Sequence, residues 1–103
     1  MALAPGLSFG RFSSNTTLGP IEWKGGRGVF TAYGNFGSGG TCKLQASYDD
    51  GVTLIDVDRS GDTFVTFTAN GQGGFELGAC KLYAVLSGAT SPSIDAGVEY
   101  AFR

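Results

Sequence analysis

The 103-residue sequence contains no histidine. That removes the commonest general base and the commonest metal ligand. Serine–histidine and cysteine–histidine catalysis are excluded within one chain. A zinc site would need both cysteines plus carboxylates, without CxxC spacing, which structural zinc chemistry disfavours. Charge is also scarce. Charged residues make up 16% of the chain, against roughly 25% in typical globular domains. A surface so poor in charge suits a chain that lies against other protein. The net charge is −2 and no basic cluster exists, so no nucleic-acid partner is expected. No apolar run approaches a membrane span, so no membrane partner is expected. Met1–Gly6 lacks the basic and apolar regions of a signal peptide. The expected place of synthesis and assembly is therefore the cytoplasm.

Long glycine-free stretches are missing too. The 18 glycines leave Thr41–Asp50 as the longest gap, and that stretch alternates with period two. A globular helix averages about 11–12 residues, and each interior glycine costs it about 1 kcal/mol. No long helix fits. What is present instead is a series of short alternating stretches rich in aromatic and β-branched residues, as strands require.

The pattern is organised around Trp23–Tyr48. Ile21-Glu22-Trp23 reads as a short strand and Lys24–Gly28 as a corner. Val29–Phe36 and Thr41–Tyr48 read as strands, with Cys42, Leu44, Ala46 and Tyr48 on one face. Gly37-Ser38-Gly39-Gly40 predicts a hairpin pairing the two. Asp49-Asp50-Gly51 predicts a turn. Further strands are predicted at Val52–Val57, Thr63–Ala69, Phe75–Leu77, Lys81–Ser87 (central, being apolar on both faces) and Ile94–Phe102, with Asn70–Gly74 as a turn. Seven to nine short strands predict an all-β, two-sheet antiparallel β-sandwich with a jelly-roll or other Greek-key order. Trp23 and Phe67 are expected in its core.

Residues 1–20 look different. Leu7, Phe9, Phe12 and Leu18 sit among Gly, Ser, Asn, Thr and Pro without alternation. The expectation is an extended N-terminal arm over residues 1–20 and a sandwich domain over 21–103. Either the arm is a frayed terminus, or those four residues are partner-binding side chains that dock on a neighbour's open sheet edge.

No constellation carries catalysis. Asp56-Val57-Asp58-Arg59-Ser60-Gly61-Asp62 opens like a calcium loop, but its twelfth position is Phe67 rather than Glu and no helix flanks it. A polar turn is the simpler reading. Asp49, Asp50, Asp56, Asp58 and Asp62 lie in or beside turns, with no apolar pocket to raise a carboxyl pKa for glycoside hydrolysis. Gly25-Gly26-Arg27-Gly28 lacks phosphate-loop spacing and precedes a strand. Neither a catalytic residue, nor a metal site, nor a cofactor is expected. Cys42 and Cys80 read as buried hydrophobes, with a disulfide left open.

Three motifs carry a family resemblance. They are Trp23-x-Gly25-Gly26-x-Gly28-Val29-Phe30-x-Ala32-x-Gly34-x-Phe36-Gly37; Thr41-x-x-Leu44-Gln45 with its Asp50-Gly51 turn; and Ala69-Asn70-Gly71-x-Gly73-Gly74-Phe75-Glu76-Leu77 before Lys81-x-Tyr83-Ala84-Val85. Over residues 21–103 the chain resembles small virion proteins of tailed bacteriophages, most closely a capsid decoration (cement) protein. The resemblance implies a non-enzymatic structural protein on the capsid surface. Its partner would be the major capsid protein, and it would act as a homo-oligomer. The alternatives are a carbohydrate- or receptor-binding module of a phage fibre, with sugar as partner, or a small tail or neck component. Sugar binding requires Trp23 or two tyrosines exposed on one face; cement function requires few exposed aromatics and an ordered arm.

Overall fold

Alternation at period two becomes strand over most of the chain. A computed structural model describes residues 7–57 and 66–100. Among the described residues there are nine strands and no helix: β1 (Leu7–Phe12), β2 (Thr17–Trp23), β3 (Gly26–Asn35), β4 (Thr41–Ser47), β5 (Ile55–Asp56), β6 (Thr66–Phe67), β7 (Gly71–Leu77), β8 (Cys80–Ser87) and β9 (Ser93–Tyr100). They form two antiparallel sheets. One has the order β1-β9-β3-β7. The other has the order β2-β8-β4-β5, with β6 also on β4.

The pairings are nested. β1 pairs β9, β2 pairs β8, β3 pairs β7, and β4 pairs both β5 and β6. The chain is thus one long antiparallel ribbon. The ribbon folds over so that β3 also pairs β9 and β4 also pairs β8. β5 and β6 continue one another along β4. Ile55 and Asp56 oppose Ala46 and Gln45, the Val57 amide donates to the Leu44 carbonyl at 3.1 Å, and Thr66 and Phe67 oppose Lys43 and Cys42.

Inward-facing residues of both sheets meet in one core. β3 contributes Phe30 and Ala32, β4 contributes Cys42, Leu44 and Ala46, β8 contributes Leu82, Ala84 and Leu86, and β9 contributes Ile94, Ala96 and Val98. Trp23 anchors one end of it. Its indole stacks on Tyr100 with centroids 4.0 Å apart and tilts against Phe75 at 5.1 Å. The ring lies over Gly28, where an added Cβ would come within 2.5 Å of the indole. The glycine is there to admit the tryptophan. Phe67 is only partly buried, packed against the core and stacked on Phe30.

Several expectations are corrected. β3 and β4 do not pair. They lie in different sheets, and the Phe36–Gly40 link carries the chain from one sheet to the other. The link does not close on itself because it packs against the β8–β9 loop: a Cβ on Gly37 (φ +65°) would fall on the Thr90 carbonyl oxygen. Gly71–Gly74 is strand rather than turn. Its glycines face bulky partners, Gly73 opposite Phe30 and Gly74 opposite Val29.

Residues 7–20 are not a separate arm. β1 and β2 are strands of this chain's own sheets, hydrogen-bonded to β9 and β8. Each carries an irregularity, between Ser8 and Gly10 in β1 and between Leu18 and Ile21 in β2. A bulge adds one residue and breaks the period of two, which is why the alternation is hidden there. Pro20 is tolerated because β2 is an edge strand at an irregularity. Residues 1–6 lie outside the described residues, as do Thr63–Val65 of the expected 63–69 strand and Phe102 of the last one. Of the expected Val52–Val57 strand, only Ile55–Asp56 pairs.

Candidate functional site

The four side chains expected to reach a neighbour face inward. Phe12 is fully buried and Phe9 nearly so, the latter edge-on to Phe30. Leu7 and Leu18 pack against the same core. Phe9 and Phe12 are thus taken up by this chain's own core, while Leu7 and Leu18 keep part of their surface exposed.

The two ends of the sandwich differ in construction. At one end lie residues 13–16, 36–40, 68–70 and 88–92. Asn15 clasps Ala89 there: its amide donates to the Ala89 carbonyl at 3.0 Å and its carbonyl accepts the Ala89 amide at 2.9 Å. Asn70 accepts the Gly34 amide and Asn35 the Gly37 amide, both at 2.8 Å. Backbone lies against backbone, and the exposed side chains are small and mostly polar.

The opposite end is built from residues 24–25, 48–54 and 78–79. The 48–54 loop is fixed from within. The Ser47 hydroxyl, on a residue 1% exposed, donates to Asp49 Oδ1 at 2.9 Å and accepts the Gly51 amide at 2.8 Å. Asp49 Oδ1 also accepts the Thr53 amide at 2.8 Å, and Lys81 Nζ pairs with Asp50 at 2.6 Å. Hydrogen bonds from the Thr53 side chain and backbone, then from Ser47, hold the Asp49 carboxyl below its ordinary pKa. Among the described residues no cation pairs with Asp49. Tyr48, Val52 and Ile55 project from this loop and the start of β5, at 58%, 83% and 52% exposure.

Tyr48 separates two clefts. One, of about 470 Å³, runs between Trp23, Lys24, Tyr48, Cys80 and Lys81. The other, of about 270 Å³, has Ala46, Ile55, Val57 and Leu77 as an apolar lining. Tyr48 is a case the alternation misplaces: it continues the inward set of β4 in sequence, yet β4 ends at Ser47 and the tyrosine swings out. The Asp49-Asp50-Gly51 turn directly after it was the available signal.

The remaining exposed large hydrophobic among the described residues is Tyr33, on the outer face of the other sheet beside Thr31, Asp95 and Gly97. Tyr33 and Tyr48 therefore share no face. Trp23, 2% exposed, presents no stacking surface. The geometric condition for a sugar platform is not met by these residues.

The carboxylates are committed elsewhere. Asp56 accepts from Gln45 at 2.6 Å and pairs with Lys43 at 3.3 Å; the Gln45 bond, with Lys43 adding to it, lowers its pKa. Asp95 forms a two-point pair with Arg11, at 2.8 and 3.1 Å, that lowers its pKa. No group of three His, Cys, Asp or Glu among the described residues is placed to hold a metal. Asp58 and Asp62 of the calcium-like stretch lie outside them. No helix of the described residues is long and apolar enough to cross a membrane.

Both cysteines are free. Cys42 opposes Leu86 and Cys80 lies six residues further along β8. At about 3.3 Å per residue that is roughly 20 Å, far beyond the ~7 Å Cα limit of a disulfide. Burial pushes the Cys42 thiol up to about 12. Burial also raises the Cys80 thiol.

Comparison with protein-family models, curated proteins and solved structures found no match to this chain.

Proposed function

We propose that this chain is a structural virion protein that binds the outside of a tailed-phage capsid and stabilises its shell. The observation that carries the reading is the nested strand order: a ribbon paired β1 to β9, β2 to β8, β3 to β7 and β4 to β5 and β6, folded into two sheets. We read that order as a jelly roll, an architecture used by viral capsid and lectin domains. The resemblance of residues 21–103 to phage virion proteins and the low charge content favour the virion side of that pair. The absence of a shared tyrosine face and the burial of Trp23 weigh against the lectin side.

In this reading the partner is the major capsid protein. Packaged DNA pushes outward on the shell, and a small protein bound across subunit boundaries adds interface that must be lost before the shell opens. It favours whichever lattice state presents its site, because a ligand shifts an equilibrium by its differential affinity. The chain acts as a homo-oligomer, since a domain of this size buries only about 60–70% of its unfolded surface and gains from assembly. The N-terminal strands support it from inside the fold rather than as a reaching arm.

The test is to purify particles of the phage whose genome carries this sequence and to locate the chain by mass spectrometry and electron microscopy. The expected result is many copies on the outer shell. Its presence only at the tail or neck, or its absence from particles, would overturn the proposal.

A further inference from the structure

Three of the four exposed large hydrophobics among the described residues fall within eight residues, Tyr48, Val52 and Ile55. Single exposed hydrophobics need no explanation, but a group on one loop marks an interaction surface. The loop is also held in place before any partner arrives. Ser47 and Asp49 tie residues 47–53 together, Lys81 pins Asp50, and the loop lies against β8, where a Cβ on Gly51 would meet the Tyr83 hydroxyl at 2.7 Å. Displaying Val52 on a fixed loop lowers the ordering cost of binding.

Charge selects the occupant. Residues 46–57 contain three acids and no base. Lys81 and Lys43 answer Asp50 and Asp56, which leaves Asp49 without a cation among the described residues, three positions from Val52. The loop itself offers no basic cluster to an anionic lipid surface or nucleic acid. A second copy docked about a twofold axis would set Asp49 near its own counterpart, and like charges across an interface are unfavourable. A protein surface with an apolar socket edged by lysine or arginine matches both features. We infer that the Tyr48–Ile55 loop is the face that docks on the capsid subunit, Val52 and Tyr48 entering an apolar socket and Asp49 meeting a basic residue at its rim. This inference rests on the shell-binding reading above, and self-association would use another face.

The test is co-sedimentation of the full chain with shells of that phage stripped of it, with thermal melting of each variant as a folding control. Val52→Asp should bind about tenfold more weakly than the parent, and Val52→Arg more weakly still, because arginine adds repulsion from the basic rim to the lost apolar contact. Ser38→Asp, at the opposite end, should bind as the parent does. If the parent binds but Val52→Arg binds equally well, or better than Val52→Asp, the docking face is wrong while the shell-binding reading stands. If Ser38→Asp is the variant that fails, the opposite end is the docking face. If the parent itself does not sediment with shells, both fall.

Discussion

The two ends of the sandwich close in opposite ways. One end is closed by backbone against backbone, with Gly37 against Thr90 and asparagine side chains standing in for missing main-chain partners. The other is closed by side chains: Trp23 on Tyr100, Ser47 on Asp49, Lys81 on Asp50. Main-chain closure leaves no room for a larger residue at Gly37, and the side chains exposed at this end are small and mostly polar, Ser38 and Thr90 among them. Side-chain closure leaves clefts and an exposed apolar loop. The difference separates positions that hold the fold from positions that are free to meet a partner.

The comparison is broken most severely by removing residues 1–18. The deletion takes β1, the start of β2 and the 13–16 crossing at the glycine-closed end. Phe9 and Phe12 go with it, each worth about 3–5 kcal/mol when buried, against a total stability of about 5–15 kcal/mol. No cooperative transition should remain in a thermal scan; a melt like that of the full chain would restore the arm.

Next comes Trp23→Ala at the other end. It empties the space over Gly28 and should cost about 3–5 kcal/mol by denaturant titration. Gly37→Ala follows. The left-handed backbone alone costs an alanine about 1–2 kcal/mol, and the Thr90 carbonyl must move as well. Equal stability of the Gly37 variant and the parent would show that this end is looser than its contacts imply.

Acid sharpens the contrast by acting on both sheets. Asp49, Asp56 and Asp95 have folded pKa values lowered by their hydrogen bonds and ion pairs. Their contribution is therefore present above the ordinary carboxylate pKa and lost as pH falls through the lowered values. The melting temperature should hold from neutral pH to about pH 5 and then fall toward pH 2. Asp95→Asn, which takes the charge from the Arg11 pair, should reduce the size of that fall. The smallest effect is Val52→Ala, expected to change stability by less than about 0.5 kcal/mol; a larger loss would mean that Val52 serves the fold rather than a surface.

The residues that sequence reasoning places well are those whose surroundings are regular. β8 is apolar on both faces and β9 alternates without interruption, and both prove to be interior strands, each paired on both sides. The failures share a cause. The bulges in β1 and β2 shift the phase of burial, so Phe9 and Phe12 look like stray aromatics in a polar tail. The β3–β4 link has hairpin composition, and only the distant Thr90 loop decides that it crosses between sheets. At the candidate docking loop, acids and turn residues are legible, but the outward swing of Tyr48 depends on Ser47 turning inward to bond Asp49, which alternation alone does not encode.

The shared edge along β4 has a consequence for engineering. Val57 and Thr66 occupy neighbouring register positions there, opposite Leu44 and Lys43. The two flanking residues sit at adjacent points of β4, so a longer connection would span the same short gap. Doubling such a connection costs only about 0.6 kcal/mol in closure entropy. The junction between β5 and β6 is therefore the natural place to graft a foreign peptide while keeping both strand pairings with β4.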